Sequence, residues 1–385
     1  MEQVVGIICE YDPFHIGHRH QFELIRQQLP DAKIVCLMSG CFTQRGSAAM
    51  HQPRLRAEAA LSAGADVVLE LPCAFSVRDA EHFALGGVEI LSRLGFVTHL
   101  SFGAEDENLE MLEQAASLLE SPTPEFERRL RLHLNEGASF AAAQGAALGA
   151  CLGDAQRWSK PNNILGLCYL RAIRRLHSSL IPLPVRREGD YHAASLDHQP
   201  WPSASAVRQA LIAGDFAGAD AACGYPVHIS PICRNDALDA VLLYKLRTAS
   251  ASDLALLPDC TEGLENRLKS CAAQATSREE LISLIKTRRY AHTRISRLCT
   301  HALLDLTAGF LRANPSPTYV RLLGLRSKSP LTGLFRQSGI PILAKAADAD
   351  RDHPLFQLDM RAYELWALGA GLPANLLFQQ GVAIL

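Results

Sequence analysis

The stretch Val4-Val5-Gly6-Ile7-Ile8-Cys9-Glu10-Tyr11-Asp12-Pro13-Phe14-His15-Ile16-Gly17-His18 decides the reading of this chain. Six apolar, partly β-branched residues predict a buried strand, and Asp12-Pro13 predicts a turn straight after it. A helical pattern then runs from about His15 to Leu29. A helix that starts directly behind a strand points its unpaired N–H groups and the positive end of its dipole at whatever sits beyond the strand, which suits an anion. Gly17 leaves room for a ligand to approach the backbone. His15 and His18 lie one helical turn apart and can donate N–H bonds to phosphate oxygens.

The same alternation continues outward. Ala32–Met38, Asp66–Pro72, Thr98–Gly103 and Leu180–Arg187 read as further strands. Helices are expected over Pro53–Ala63, Asp79–Leu94, one long stretch from Leu109 to Leu152, and Ile164–Leu176 behind Pro161. Short apolar strands alternating with helices argue an α/β fold, a Rossmann-like parallel sheet covered on both faces. Ligand is expected at the carboxyl ends of the strands, where His15, Ser39-Gly40 and Gly103 fall. Ser203-Ala204-Ser205-Ala206-Val207-Arg208 opens another helix with two hydroxyls and a guanidinium. That suits an anion, although a plain serine cap with a surface arginine is the simpler reading.

Beyond about Ala222 helices dominate, over Asp236–Arg247, Thr261–Ala273, Arg278–Leu284 and Thr293–Ala308. With Gly224-Tyr225-Pro226 as the boundary, residues 1–225 are expected to form the α/β, ligand-binding domain and residues 226–385 a mainly α-helical, basic one. Across 231–345 Lys and Arg are nearly twice as frequent as Asp and Glu, on a chain whose net charge is only −2. Arg288, Arg289 and Arg294, around Tyr290, are candidates for contacting RNA, by phosphate pairing and base stacking.

Composition excludes several classes. Of 385 residues 48% are hydrophobic and 20% charged, as in ordinary globular proteins, and no apolar run is long enough to span a bilayer. The first strand starts within four residues, so no signal peptide is expected. Eleven scattered cysteines with no Cys-x-x-Cys pair predict reduced, mostly buried thiols, no metal ligands, and a cytoplasmic location.

Taken together, Gly6 to His18, Met38-Ser39-Gly40-Cys41-Phe42-Thr43-Gln44-Arg45-Gly46, Gly64 to Pro72, Ser101-Phe102-Gly103-Ala104-Glu105, Lys160 to Gly166, Glu262 to Arg267 and Arg288 to Ile295 resemble the bacterial tRNA(Met) cytidine acetate ligases, a branch of the HIGH-type nucleotidyltransferases. The resemblance covers nearly the whole chain. It implies a ligase that joins acetate to the α-phosphate of ATP, giving acetyl-adenylate and pyrophosphate. The acetyl group then passes to the wobble cytidine of elongator tRNA(Met), making N4-acetylcytidine. It further implies that Ile7, Ile8, Cys9, Glu10, Tyr11, Asp12, Pro13, Phe14, His15, Ile16, Gly17, His18, Arg19 and His20 line the nucleotide, with Gly103, Asn162 and Arg187 as further ATP contacts. His15 and His18 would be the catalytic pair, and Mg2+ would accompany ATP.

One segment departs from that pattern. Where relatives carry an acidic residue and a lysine after Gln44-Arg45-Gly46, this chain reads Ser47-Ala48-Ala49-Met50-His51-Gln52-Pro53-Arg54, and Arg54 is the candidate for the lost charge. Two other readings stay open at this point. One is another HIGH-type adenylyltransferase or acetate-activating ligase with a small-molecule or protein acceptor; the other is a non-catalytic RNA-binding relative.

Overall fold

The computed structural model describes residues 3–105, 107–187, 195–196, 201–287 and 290–385. Strands β1 (Val4–Cys9), β2 (Lys33–Ser39), β3 (Val67–Leu71), β4 (His99–Ala104) and β5 (Ile181–Arg186) run parallel in the order β5-β4-β1-β2-β3. β1 to β3 read as largely apolar runs because both faces of the sheet are covered there, while β4 carries His99 and Ser101 and the edge strand β5 is part-exposed. Val5, Ile7 and Cys9 of β1 pack on one side, together with Phe22 and Ile25 of helix α1 (Ile16–Gln28). Val4 and Ile8 pack on the other side, with Val88 and Leu91 of the helix Ala80–Arg93. The chain leaves β1 toward β2 on one side and later returns to β4 on the other. The strand order therefore reverses at β1, and a crevice opens beyond its carboxyl end.

The segment from Leu109 to Leu152 is three helices rather than one: Leu109–Glu120, Pro124–Asn135 and Phe140–Leu152. Thr123 and Ser139 cap the second and third, accepting from Phe126 and Ala142 N–H, so polar residues that a helix interior tolerates also restart it. The expected helix up to Ala308 stops at Leu304, where Asp305 turns left-handed at φ 51°.

The C-terminal half is mainly helical but is not helical throughout. β6 (Val320–Leu325) joins the edge of the sheet antiparallel to β3, and β7 (Ile342–Leu343) and β8 (Ala383–Ile384) pair with β6. The sequence hides β6 because Arg321 and Gly324 interrupt its apolar run. Arg321 is buried there only because Glu70, opposite it in the register, supplies a carboxylate at 2.6 Å. Tyr363 donates to the same carboxylate at 3.1 Å. The division at 1–225 and 226–385 is thus our proposal about roles; the sheet itself is shared.

A second seam ties the helical half to the loop after β2. The Gly46 carbonyl accepts from Ser296 Oγ at 3.0 Å, Thr300 Oγ1 at 2.7 Å and the Arg278 guanidinium. Gly46 sits at φ +77°, and a Cβ there would fall 2.5 Å from Arg297 backbone atoms. Only glycine fits both the conformation and the approach.

Candidate active site

Beyond β1 the chain turns through Tyr11, at φ 49°, and a cis Asp12–Pro13 peptide. Arg56, fully buried, holds the turn by donating to the carbonyls of Glu10 at 2.6 Å, Ser39 at 3.0 Å and His51 at 3.0 Å. Asp12 Oδ1 accepts from Met50 N–H at 2.6 Å. His15 is the N-cap of α1. Its Nδ1 accepts from Gly17 N–H at 3.1 Å, and His18 Nδ1 accepts from His15 N–H at 3.2 Å. The two rings stack with centroids 3.7 Å apart.

These bonds settle where the protons sit. An imidazole nitrogen that accepts from an amide carries no hydrogen, so each ring bears its proton on Nε2. His15 Nε2 is buried and has no partner within the described residues. Burial, then the nearby Arg187 and Arg208 guanidiniums, push His15 down to about 3. Burial, then His15 and Arg187, lower His18 as well. Both histidines are thus neutral N–H donors at ordinary pH, held ready at a helix N-terminus.

A cavity of about 310 Å³ lies beyond these donors, within the ordinary ~300–1,000 Å³ range for small-ligand sites. Arg187 Nη1 donates to Asn162 Oδ1 at 3.1 Å, and Asn162 Nδ2 donates to Glu105 at 2.7 Å. Glu105 also accepts from the Asn163 N–H, so it anchors the N-terminus of the helix Pro161–Arg175 and, through Asn162, orients Arg187. On another wall Arg208 donates to the Asp12 carbonyl at 2.5 Å and to Ser205 Oγ at 3.1 Å. Ser203 caps the helix Ala204–Ala213 by accepting from Ala206 N–H at 3.0 Å. At the rim Trp201 stacks flat on His20, 4.1 Å between centroids.

Of the residues singled out in the sequence, Ile7 to Asp12, His15, Gly17, His18, His20, Gly103, Asn162 and Arg187 all line this one cavity. Pro13, Phe14, Ile16 and Arg19 do not. Phe14 turns inward onto Tyr11, 4.9 Å between rings, and Arg19 faces Glu23 at 3.8 Å on the outside of α1. Ser39 and Gly40 are buried behind the cavity, where a Cβ on Gly40 would meet Glu70 Oε1. Arg54 does not restore a charge to the cavity; it pairs with Glu58 at 2.9 Å and reaches the Gly381 carbonyl.

The reading of Ser203 to Arg208 as a plain cap with a surface arginine gives way. Ser203 does cap the helix, but Ser203, Ser205 and Arg208 face the cavity. Thr43, Gln44, Arg45, Phe83, Tyr169 and Trp201 line it too, and no local pattern marked them as ligand-facing. Arg288 and Arg289 lie outside the described residues. Arg294 donates to the Asp259 carbonyl and to Thr261 Oγ1, and lies 5.3 Å over the Tyr290 ring. Other cations of the basic stretch cap helix ends: Arg247 on the Ala272 and Ala275 carbonyls, Arg267 on Leu284 and Ile285.

Within the described residues no helix is long and apolar enough to cross a membrane, and all eleven cysteines are free. No group of three or more His, Cys, Asp or Glu gathers there as a metal cage.

The geometry has counterparts elsewhere. A family profile described as HIGH Nucleotidyl Transferase matches residues 1–376. A tRNA(Met) cytidine acetate ligase from a Geobacillus species is 33% identical, the match covering 94% of this chain and 93% of the relative. One from Syntrophomonas wolfei is 36% identical over 84% of this chain and 82% of its own. The crystal structure of apo Thermotoga maritima TmcAL superposes with a TM-score of 0.90 at 26% identity, covering 100% of this chain and 99% of that one. TmcAL from the same organism bound with alpha-thio ATP superposes at 0.85, covering 96% and 95%. A strand-end turn with two neutral histidine donors, its sheet and the full-length likeness agree: this chain belongs to the tRNA(Met) cytidine acetate ligase family of HIGH nucleotidyl transferases.

Proposed function

We propose that this protein is a ligase that uses ATP and acetate to acetylate the wobble cytidine of elongator tRNA(Met). A carboxylate oxygen of acetate attacks the α-phosphate. A new O–P bond forms, and the bond to pyrophosphate breaks and leaves with its electron pair. The cytidine N4 then attacks the acyl carbon of acetyl-adenylate, AMP departs, and N4 loses a proton. The observation that carries this reading is the pair of neutral Nε2–H donors on His15 and His18, facing a cavity that Arg187 and Arg208 also line.

Each residue has a role that its position supports. His15, His18 and the first N–H groups of α1 donate to phosphate oxygens as charge builds during attack, while Arg187 and Arg208 neutralise the triphosphate. Asn162 holds Arg187 in place. The purine stacks toward Trp201 and His20, with Gly103 allowing its edge close to the backbone. Magnesium, expected with ATP, would add to the charge neutralisation of the triphosphate. Arg288, Arg289 and Arg294 of the basic half contact the tRNA, and the unpaired thiols suit a cytoplasmic enzyme.

The test is acetate-dependent exchange of labelled pyrophosphate into ATP, followed by transfer of labelled acetyl to purified tRNA(Met). Neither activity from folded protein would sink the reading. Exchange without transfer would point to a different acceptor.

A further inference from the structure

The cavity lining is of two chemical kinds. One is polar: the histidine pair, two serines and the arginines, beside the His20–Trp201 stack. The other is an aromatic wall. Phe83, Phe102 and Tyr169 form it while being only 2%, 4% and 2% exposed, and Ile8 and Leu165 complete the wall. Phe102 and Tyr169 meet with ring centroids 5.7 Å apart. Phe102 can lie flush on the helix Pro161–Arg175 because residue 166 is glycine; a Cβ there would fall 2.9 Å from its ring. Within this apolar wall the Tyr169 hydroxyl is buried and has no hydrogen-bond partner in the described residues. An unpaired buried hydroxyl costs about 1–3 kcal/mol, so an apolar wall does not hold one without reason.

Such an enclosure does not suit a purine. A buried adenine edge presents several donors and acceptors spread along its length, more than the single Tyr169 hydroxyl on this wall can pair. It does suit a carboxylate with a very short apolar tail: the O–H donates to one carboxylate oxygen and the rings enclose the methyl group. Burial, with Cys9 and Glu10 nearby, pushes the Tyr169 phenol up, so it keeps the proton it would donate. Glu10 lines the same cavity and would repel a bare carboxylate. Its Oε1, however, accepts from Gln44 N–H at 2.6 Å, and Arg45 and Arg208 both oppose its charge.

Resting on the function proposed above, we infer that Phe83, Phe102 and Tyr169 form the acyl subsite, in which the Tyr169 hydroxyl binds the carboxylate of acetate and the two phenylalanines limit its chain length. Burial serves the chemistry as well. Acetyl-adenylate hydrolyses if water reaches it, and the aromatic wall keeps water from the acyl carbon.

The test uses the full-length protein. Tyr169→Phe removes one oxygen and keeps the packing, so it should fold as the parent does. It should raise the acetate KM in pyrophosphate exchange by about tenfold or more, the loss of a hydrogen bond to a charged group. The Kd for ATP, measured without acetate, should stay within about twofold. Phe83→Leu should raise the propionate-to-acetate ratio of kcat/KM by about tenfold, since a methylene in an apolar pocket commands that much discrimination. An unchanged acetate KM in Tyr169→Phe, with the parent active, overturns the subsite alone. An ATP Kd that weakens as much as the acetate KM also overturns it, by placing the purine against Tyr169. A parent showing no exchange with any short carboxylate overturns the function itself, and the subsite with it.

Discussion

His15→Asn separates the two jobs that His15 holds in this structure. Its Nδ1 caps α1 by accepting the Gly17 N–H at 3.1 Å, while its Nε2–H faces the cavity. Asparagine is among the best N-caps and can accept the same N–H, so stability should fall by no more than about 1 kcal/mol. What asparagine loses is a donor at the reach of an imidazole Nε2. Removing one preorganised donor from developing charge costs roughly 10²–10³ in rate, about 2.7–4 kcal/mol. The assay is acetate-dependent pyrophosphate exchange, with ATP Kd measured separately and stability followed by urea denaturation. We expect kcat to fall at least a hundredfold while the Kd for ATP moves only a few fold. Because His15 is pushed down to about 3, its loss should not alter the pH profile of kcat between about pH 6 and 8. A stable variant that keeps more than a tenth of the parent rate would refute the donor role. So would equal losses in ATP binding and kcat/KM, which would mean that the contact is made before the transition state.

Three further outcomes follow from the same geometry. Gly103→Ala should leave stability within about 1 kcal/mol, since its Cβ would meet only Arg187 side-chain carbons at 3.8 Å; calorimetry should then show ATP binding weakened by about tenfold or more, and unchanged affinity would remove the close approach. Glu70→Gln or Arg321→Met alone should cost about 3–5 kcal/mol by stranding a buried charge, in one cooperative transition by denaturation; two separate transitions would show that β6 is not integral to the sheet. Acid should destabilise the fold: His15, His51 and His301 are lowered to about 3, 4 and 4, each mainly by burial, so they take up protons on unfolding. Their contribution is complete above the unfolded value near 6.5 and is lost as pH falls toward 4, at about 1.4 kcal/mol per pH unit for each histidine. Asp359, raised to about 7 chiefly by burial, runs the other way, as do Glu10 and Glu70, which burial also raises. The check is therefore the titration of the imidazoles themselves by NMR: a His51 or His301 that titrates near its unfolded value of about 6.5 in the folded protein would contradict its burial.

The strands β1 to β3 were legible within a residue or two because a doubly covered parallel strand is largely apolar on both faces, and β4 and the part-exposed edge strand β5 were legible as short, mostly apolar runs bounded by helices and turns. The turn from Glu10 to His18 was legible for the same local reason, since proline, glycine and paired histidines each restrict what the backbone and the site can do. The Leu109 to Leu152 stretch was misread because Thr123 and Ser139 act as helix starts only once the backbone turns before them. Arg54 was misread for another reason. Its charge is set by sequence, but Glu58 and the Gly381 carbonyl decide where it points.

What the sequence determined by itself was the class of fold, the cavity-lining turn and, through its resemblance, the family. These rest on periodicity and on contiguous residues whose geometry is local. The tertiary structure alone decided that Arg321 lies opposite Glu70 and makes β6 part of the sheet, and that Gly46 is held by Arg278, Ser296 and Thr300. It alone carried Arg208 and Tyr169 to the cavity beside His15. Apart from the part-exposed Arg208, each of those groups is polar and buried, and it becomes tolerable only when a partner or a ligand arrives from far along the chain. Sequence spacing cannot reveal such a partner, because burial is a property of the folded whole.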